Sequence, residues 1–276
     1  PDADYVGLFG VTGGAAEIRN LGLEGGSVTG RTYAGGLVGY NGGGTLTSCY
    51  ASGSIMASGD YALAGGLVGE NYNGTLTSCY ATGAVTATAT GGYRPPLAGG
   101  LVGGNSGTLT SCYATGTVTA TTTGSFGNAY AGGLVGDNDG TLTSCYATGA
   151  VSAGSTYDDA YAGGLVGWNY GTLTSCYATG MVAGDYVTGG LVGWNYGTLT
   201  SCYATGMVAG DYVTGGLVGY NDGGTLTSCY WDVDTTGQSV GVGHVYGGGT
   251  AGGTGLATTQ MKQQASFAGW DFTSVW

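Results

Sequence analysis

The stretch GTLTSCYATG at residues 171–180 is repeated, with small changes, along the whole chain. Its central heptapeptide TLTSCYA occurs six times, and a seventh copy ends in Trp instead of Ala: residues 45–51, 75–81, 108–114, 141–147, 172–178, 198–204 and 225–231. The pentapeptide GGLVG precedes every copy. Internal repeats with a period of about 20–50 residues are typical of solenoids, propellers and other arrays. The repeat therefore predicts one continuous domain for the 276-residue chain.

Each repeat contains three short segments rich in strand-forming residues: Leu-Val after the paired glycines, the TLTSCYA stretch, and a segment centred on a residue such as Val118 or Val151. None is long enough to show helical periodicity. Successive cysteines are 26–33 residues apart, which is shorter than the about 40–50 residues of a propeller blade. The pattern predicts an all-β fold, a parallel β-solenoid of about 8–9 coils with ~26–33 residues per coil.

Alternation along TLTSCYA assigns its side chains to faces. Leu46 shares one face with Ser48, and its hydrophobicity places that face inside. Thr45 and Thr47 then point to solvent. Simple alternation puts Cys49 on the solvent face as well, although free cysteine prefers burial. A bend at Ser48 would turn Cys49 inward, and the sequence leaves both orientations open.

Stacked coils place equivalent residues about 4.8 Å apart, so the repeat predicts ladders along the axis. The predicted buried ladder is Leu46, Leu76, Leu109, Leu142, Leu173, Leu199 and Leu226. A corner ladder of amides is predicted at Asn41, Asn71, Asn105, Asn138, Asn169, Asn195 and Asn221. The predicted outward ladder is Thr45, Thr47, Thr75, Thr77, Thr108, Thr110, Thr141, Thr143, Thr172, Thr174, Thr198, Thr200, Thr225 and Thr227.

The repeat divides the chain into three parts. Residues 1–34 are interpreted as a degenerate first coil, residues 35–230 as seven regular coils, and residues 231–276 as a C-terminal cap or assembly segment. Within the last part, residues 259–267 are predicted to form one short helix with Thr258 or Thr259 as its N-cap.

The chain is acidic, with a net charge of −12. This charge argues against nucleic acid and anionic membranes as partners, and the sequence has no apolar run long enough to span a membrane. The acidic residues are expected mainly in solvated turns such as residues 137–140. Few lysines and many Gly, Thr, Ser, Asn and Tyr residues indicate an extracellular or cell-surface protein. The first residue, Pro1, is not an initiator Met, which fits a mature secreted chain.

Catalytic and metal-binding chemistry finds little support in the sequence. His244 is the only histidine, and no base partner for a nucleophile can be named. The seven cysteines form no CxxC pair, so a zinc site is not expected, and a reduced, packed row of thiols is the favoured interpretation. Asp185 and Asp211 occupy equivalent positions in adjacent repeats and are candidates for binding calcium. We therefore expect no enzymatic activity and no cofactor.

The repeat GGLVGxNxGTLTSCYATGxV resembles the GLUG-motif repeats of large bacterial secreted and surface proteins. The ending, with YWDVDTTGQS and GGTGLATTQMKQQASFAGWDF, is similar to the tail that follows such repeats. The resemblance covers residues 5–276. It implies an extracellular β-solenoid with a structural or adhesin-like role, and it supplies no catalytic residues. Some members of this family are parts of metallopeptidases that act on IgA, but the chain lacks the HExxH motif that such an activity needs.

Three functional hypotheses follow. The first is a rigid, non-enzymatic structural solenoid of a surface appendage or self-assembling fibre. The second is an adhesin that binds cell-surface glycans or other matrix components through the longer inserts and their tyrosines, Tyr93, Tyr130, Tyr157 and Tyr161. The third is an ice-binding protein, because the Thr-x-Thr array resembles the ice-binding face of insect-type antifreeze proteins.

The aromatic residues near the two ends suggest how chains would assemble. Phe9 lies in the first coil, and Trp231, Trp270, Phe272 and Trp276 lie in the C-terminal segment. If that segment folds back, it blocks the last coil. If it presents its aromatic rings to the first coil of another copy, a head-to-tail homopolymer results, because a heterologous contact that does not close builds a filament. The second arrangement is the one that we favour from the sequence.

Overall fold

The chain folds into a parallel β-solenoid in which five short strands per coil stack into five parallel sheets. The structure is a computed structural model that describes residues 3–91, 94–123, 127–157 and 159–274. We name the sheets A to E in the order in which the chain first passes through them. No helix in these residues is long and apolar enough to cross a membrane.

Sheets A and B lie on either side of the paired glycines. The strands of sheet A are Tyr5–Val6, Tyr33–Gly35, Leu63–Gly65, Leu97–Gly99, Ala129–Gly132, Ala160–Gly163, Val187–Gly189 and Val213–Gly215. The strands of sheet B are Phe9–Gly13, Val38–Gly42, Val68–Tyr72, Val102–Asn105, Val135–Asn138, Val166–Asn169, Val192–Asn195, Val218–Asp222 and Val242–Tyr246.

Sheets C and D are the two halves of the TLTSCYA stretch. The strands of sheet C are Glu17–Arg19, Thr45–Thr47, Thr75–Thr77, Thr108–Thr110, Thr141–Thr143, Thr172–Thr174, Thr198–Thr200 and Thr225–Thr227. The strands of sheet D are Gly22–Leu23, Tyr50–Ala51, Tyr80–Ala81, Tyr113–Ala114, Tyr146–Ala147, Tyr177–Ala178, Tyr203–Ala204, Tyr230–Asp232 and Thr254–Leu256.

Sheet E and three short helical turns complete the fold. The strands of sheet E are Ser27–Gly30, Ser54–Ser58, Val85–Ala89, Val118–Thr122, Val151–Ser155, Val182–Gly184 and Val208–Gly210. Helix α1 is Val233–Thr236, helix α2 is Thr258–Met261, and a 3₁₀ turn covers Gln264–Ser266. The predicted single helix over residues 259–267 is thus two shorter elements, and its N-cap is Ala257, not Thr258 or Thr259.

The predicted fold class is confirmed, while the coil count is smaller than predicted. Among the described residues, seven coils contribute a strand to all five sheets. An eighth coil lacks the strand of sheet E, and a ninth adds strands only to sheets B and D. The C-terminal segment therefore continues two of the ladders before it departs from the repeat.

Each coil has five strands where the sequence pattern predicted three. A serine in the left-handed conformation divides TLTSCYA into the strands of sheets C and D, as at Ser111 with φ of 54°. The other six copies have the same conformation at Ser48, Ser78, Ser144, Ser175, Ser201 and Ser228. This is the bend that turns the cysteine inward, so Leu46 and Cys49 are both fully buried.

The core is a set of ladders that continue from coil to coil. The predicted leucine ladder is buried throughout, from Leu46 to Leu226. The asparagine ladder is buried as well, and each side-chain amide donates to the amide oxygen of the next coil at 2.8 Å from Asn41 to Asn221. Thr12 donates to Asn41 at one end, and Asn221 donates to the carbonyl oxygen of Thr250 at the other.

The paired glycines are required where sheets A and B meet. A Cβ atom on Gly99 would lie 1.8 Å from the carbonyl oxygen of Val102, and one on Gly100 would lie 2.0 Å from the carbonyl oxygen of Gly133. Only a residue without a side chain allows such a close approach between backbones. The glycines thus fix the sharp corner that brings the outer faces of sheets A and B toward each other.

Candidate functional site

Regular side-chain arrays run along several surfaces of the solenoid, including the stacked tyrosines of sheet D, and two of these surfaces are candidate sites. On the outer face of sheet C, both threonines of each TLT strand are partly or fully exposed while the leucine between them is buried. Consecutive strands pair in register, as in Thr108 with Thr141 and Thr110 with Thr143. The predicted Thr-x-Thr ladder is therefore an ordered outward face with two rows of hydroxyl and methyl groups.

The second surface is a groove between the outer faces of sheets A and B, which we call the aromatic groove. Side chains from the two sheets meet there: the ring centroid of Trp168 lies 4.8 Å from that of Tyr130 and 5.5 Å from that of Tyr161. Tyr161 also lies 5.2 Å from Trp194. Outward side chains of two sheets converge only if the surface between the sheets is concave. The buried sheet A tyrosines, Tyr130 and Tyr161, pack against the inner edges of these tryptophan rings.

The wall of the groove is formed by the residue that precedes each ladder asparagine in sheet B. The rings of Trp168 and Trp194 stack along the axis with centroids 5.0 Å apart, and Tyr220 packs on Trp194 at 4.3 Å with its ring tilted by 34°. A parallel row follows the asparagines, where Tyr170 and Tyr196 stack at 4.6 Å.

Both aromatic rows are interrupted in the middle of the solenoid. Gly104 and Asp137 take the place of rings in the first row, where they pair in register between Glu70 and Trp168. Ser106 takes the place of a ring in the second row. The interruption leaves a cavity of about 230 Å³, which we call the slot, lined by Tyr61, Glu70, Tyr72, Leu97, Gly104, Asn105, Ser106, Asp137 and Asp139.

The carboxyl groups of the slot have strongly altered acidity. Burial, assisted by the charges of Asp137 and Asp139, raises the pKa of Glu70 to about 7. Burial and the charge of Asp139 raise the pKa of Asp137 to about 7, and burial raises the pKa of Asp139. Asp137 lies on a strand and is half-buried, so the prediction that residues 137–140 form a solvated turn is wrong for this side chain.

Hydrogen bonding in the slot is incomplete. The Oδ1 atom of Asp137 and the Oγ atom of Ser106 are buried and have no hydrogen-bond partner among the described residues. The carboxylate of Glu70 lies over Gly104, since a Cβ atom on that glycine would be 2.3 Å from Glu70 Oε2. Buried polar atoms without a partner are uncommon in native structures and call for an explanation.

The cysteine row belongs to the core. All seven thiols are buried and unpaired. The thiol of Cys112 points to the carbonyl oxygens of Leu76 and Thr110 at 3.5 and 3.3 Å. Hydrogen bonding to the next thiol, together with burial, raises the pKa of both Cys79 and Cys112 to about 12. Because all seven thiols are enclosed in the core, they are not accessible as nucleophiles or as metal ligands in the folded chain.

The residues predicted to mediate assembly are placed differently from the arrangement favoured by the sequence. Trp231 is 7% exposed, and its indole N–H donates to the carbonyl oxygen of Gln238 at 2.9 Å. Trp270 packs against Tyr230 and donates to the carbonyl oxygen of Ser228 at 2.8 Å. The tail therefore folds back, and Trp231 closes the core instead of facing another copy. Trp276 lies outside the described residues.

The remaining aromatic assembly candidates lie at opposite ends. Phe272 is partly buried against Phe267 and Trp270, and these three rings line a cavity of about 510 Å³ between the tail and sheet D. Phe9 is 38% exposed in the first coil, where Leu8 and Val11 are also exposed.

The other predicted site residues are Asp185, Asp211 and His244, and all three lie at the surface. Asp185 and Asp211 are exposed, and Asp185 accepts a hydrogen bond from the backbone N–H of Ser155 at 3.3 Å. The described residues contain no group of three side chains suited to a metal ion, so calcium binding at this pair stays a prediction. His244 is exposed and stacks on Tyr220 at 4.8 Å.

The insert-loop tyrosines also differ from expectation. Tyr130 and Tyr161 are buried in strands of sheet A, at 7% and 2% exposure, so they cannot act as loop contacts for a receptor. Tyr157 is 70% exposed. Tyr93 lies outside the described residues.

The slot residues escaped the sequence analysis, although a signal for them exists. The repeat GGLVGxN has one strongly variable position, and it holds Glu70, Gly104 and Asp137 in coils where other repeats have aromatic residues. A variable position in an otherwise regular repeat marks the face on which repeats differ. What the sequence did not reveal is that this position lines a groove.

Comparison of the chain with protein-family models identifies the repeat as the GLUG motif. Five stretches match the model of the GLUG motif: residues 30–56, 60–86, 96–119, 158–183 and 184–209. The chain contains five GLUG motifs. In the structure, each GLUG motif spans about one coil, so the motif is the unit of stacking. No curated protein and no solved structure matched the chain.

Proposed function

We propose that this GLUG-repeat chain is an extracellular, non-enzymatic structural module, a rigid β-solenoid rod that spaces other parts of a surface appendage. The observation that carries the proposal is the unbroken buried amide ladder, in which each step is a hydrogen bond of 2.8 Å. Bending the rod between two coils would stretch such a bond in a buried environment, where losing it is costly. A ladder without a gap therefore supports a stiff element.

The C-terminal end supports a rod that does not polymerise through its tail. Gln238 caps sheet E by donating to the carbonyl oxygen of Val208 at 3.0 Å. The strands Val242–Tyr246 and Thr254–Leu256 cover sheets B and D, and Thr250 accepts a hydrogen bond from the backbone N–H of Leu226 in sheet C. The tail thus occupies the strand edges of the last full coil and leaves two short strands as the new edges of sheets B and D, and short edge strands are one means by which proteins avoid pairing with other chains.

The location is tested by labelling intact cells of the source organism with an antibody against the purified chain. Immunogold particles at the cell surface or on extracellular material are expected. Labelling that appears only after the cells are permeabilised would contradict the proposal. Negative-stain microscopy of the purified chain tests whether the molecule is a rod that does not polymerise. Single short rods are expected, and long fibres are not.

Ice binding is a second candidate because of the outward Thr-x-Thr face. Seven successive strands present paired threonines in register, from Thr45 and Thr47 to Thr225 and Thr227. We expect thermal hysteresis in the wild-type chain if this face binds ice, and its loss in Thr110→Tyr, which breaks the flat array. A wild-type chain without thermal hysteresis would rule out this function.

A further inference from the structure

The interruption of the aromatic rows creates ring faces that no other coil covers. Tyr72 stacks on Tyr40 with ring centroids 6.3 Å apart and is 51% exposed. On its other side the next coil has Ser106, which is too small to cover a ring. Tyr170 stacks on Tyr196, and the preceding coil holds Asp139 in place of a ring. Two coils without rings leave a gap of about 10 Å along the axis.

The floor of this gap carries groups that recognise hydroxyls. Glu70 and Asp137 contribute carboxyl groups that face the slot without a basic partner, since the ion pairs among the described residues are Arg19 with Glu17 and Arg31 with Asp4. Arg94 lies nearby, but it sits over the ring of Tyr61 at 4.7 Å. Carboxyl groups beside an aromatic face suit a ligand with an apolar side and a polar rim.

The charge of the slot and its shape narrow the ligand class. Three carboxyl groups on a chain with a net charge of −12 repel uronic and sialic acids. The carboxyl groups do not converge as metal ligands do, because no group of three suited to a metal ion occurs among the described residues. A pyranose ring has weakly positive C–H groups on one face, which fit the negative face of an aromatic ring, and hydroxyls around its edge.

We propose that the slot binds a non-acidic pyranose residue of a glycan, with the sugar face on Tyr72 and the sugar hydroxyls on Glu70 and Asp137. The aromatic groove continues from the slot along the solenoid, so a longer glycan can extend beside Tyr170 and Tyr196. A structural rod does not require this site, and the two proposals are tested independently. The site also differs from the insert loops that the sequence suggested for adhesion.

The repeat itself provides variants that fill the slot without disturbing the coil. Position 104 is equivalent to Trp168 and Trp194, and position 106 is equivalent to Tyr170 and Tyr196. Gly104→Trp and Ser106→Tyr therefore introduce residues that the same coil position already accepts. In Gly104→Trp the flexible carboxylate of Glu70 must swing aside. Tyr212→Ala, which changes a tyrosine with 78% exposure outside the slot, is the matched control.

The experiment is a glycan array that carries neutral, amino-sugar and uronate oligosaccharides, probed with the full chain and followed by calorimetric titration of the strongest ligand. Wild type and Tyr212→Ala are expected to bind members with non-acidic hexoses, and both slot variants are expected to lose at least tenfold in affinity. Circular dichroism and thermal melting confirm that the variants are folded.

Several results would overturn the proposal. These are no binding by wild type to any array member, preference for uronates, or unchanged affinity in a folded Gly104→Trp or Ser106→Tyr variant. Calcium binding at Glu70 without glycan binding would also overturn it. The surface labelling of cells does not depend on any of these outcomes. If glycan binding is not found, the proposed structural role is still tested by that labelling and by microscopy.

Discussion

One left-handed serine in each coil decides which side chains reach the core. At Ser144, with φ of 54°, the chain turns so that Leu142 and Cys145 both point inward, although they are three residues apart. For a residue other than glycine this conformation costs about 1–2 kcal/mol. The burial of both neighbours offsets that cost. The face assignment of the leucine was predictable from the sequence, while that of the cysteine depended on this bend.

Leu142→Asp tests the inward ladder. The substitution places a charge without a partner between Leu109 and Leu173, all of them fully buried. We expect a loss of unfolding free energy of about 4 kcal/mol or more, measured by urea denaturation. Thr141→Asp, on the exposed face of the same strand, is the control and should change stability by less than about 1 kcal/mol. Similar melting of both variants would contradict the inward assignment.

Thiol chemistry tests the cysteine row. The seven thiols are buried in the core, so a reagent dissolved in water cannot reach them in the folded chain. We expect no reaction with a thiol reagent such as DTNB at pH 8 in the native chain and reaction of all seven cysteines in guanidinium chloride. Rapid labelling of the folded chain would show that the row is accessible.

The slot carboxyl groups make stability depend on pH. The folded-state pKa of Glu70, about 7, lies above its ordinary value of 4.5, so the native state holds an extra proton between these values. Stability is therefore highest below pH 4.5 for this group and falls as pH rises through 7, by about 3 kcal/mol in total.

Glu70→Gln should remove about half of the pH dependence of the slot, because Asp137 titrates over a similar range, and it should raise the melting temperature at pH 8. Thermal melts at pH 5 and pH 8 measure it, and Asp211→Asn, at an exposed carboxylate, is the control. A wild-type chain that is more stable at pH 8 than at pH 5, with no change in Glu70→Gln, would contradict the burial of this group.

At the scale of strands, the features that could be predicted from the sequence are those formed by residues that recur in every repeat. The leucine and asparagine ladders follow from the two motifs that recur in every regular unit, TLTSCY and GGLVGxN, and the structure confirms both. The strands of sheet A were missed because they lie where units vary in length, and because short sequences such as Leu97–Gly99 lack an alternating pattern. The slot was missed for a related reason, since the convergence of sheets A and B is a property of the corner geometry and not of either strand.

The tail was only partly predictable because its sequence does not follow the repeat. Val242–Tyr246 and Thr254–Leu256 nevertheless extend sheets B and D. Pairing of this kind depends on the strand edge that the last coil offers, and no local pattern signals it. The role of Trp231 shows the consequence: an aromatic residue next to the last repeat was interpreted as an assembly contact, and it closes the core.

For the whole molecule, deletion of residues 231–276 tests the role of the tail. The deletion exposes the strand edges of sheets B and D and the apolar core around Leu226, so we expect concentration-dependent association. Analytical ultracentrifugation measures it against the full chain. A head-to-tail polymer would instead lose its fibres on this deletion. A truncated chain that stays monomeric and melts like the full chain would show that the tail does not cap the solenoid.

The central claim is that the molecule is a linear stack of equivalent coils. Residues 171–196 and 197–222 are identical except at positions 194 and 196 and their counterparts Tyr220 and Asp222. Removing residues 171–196 joins Tyr170 to Gly197, which reproduces the existing junction of Tyr196 with Gly197. The same unit can be inserted once or twice more without creating a new junction.

The most direct measurement is the maximum dimension, by small-angle X-ray scattering, of the chain with one unit removed, unchanged, and with one or two units added. A stack predicts folded rods whose length changes by about 4.8 Å per unit, with constant cross-section. Chains that unfold on removal of one unit, or that grow in cross-section but not in length, would contradict the account.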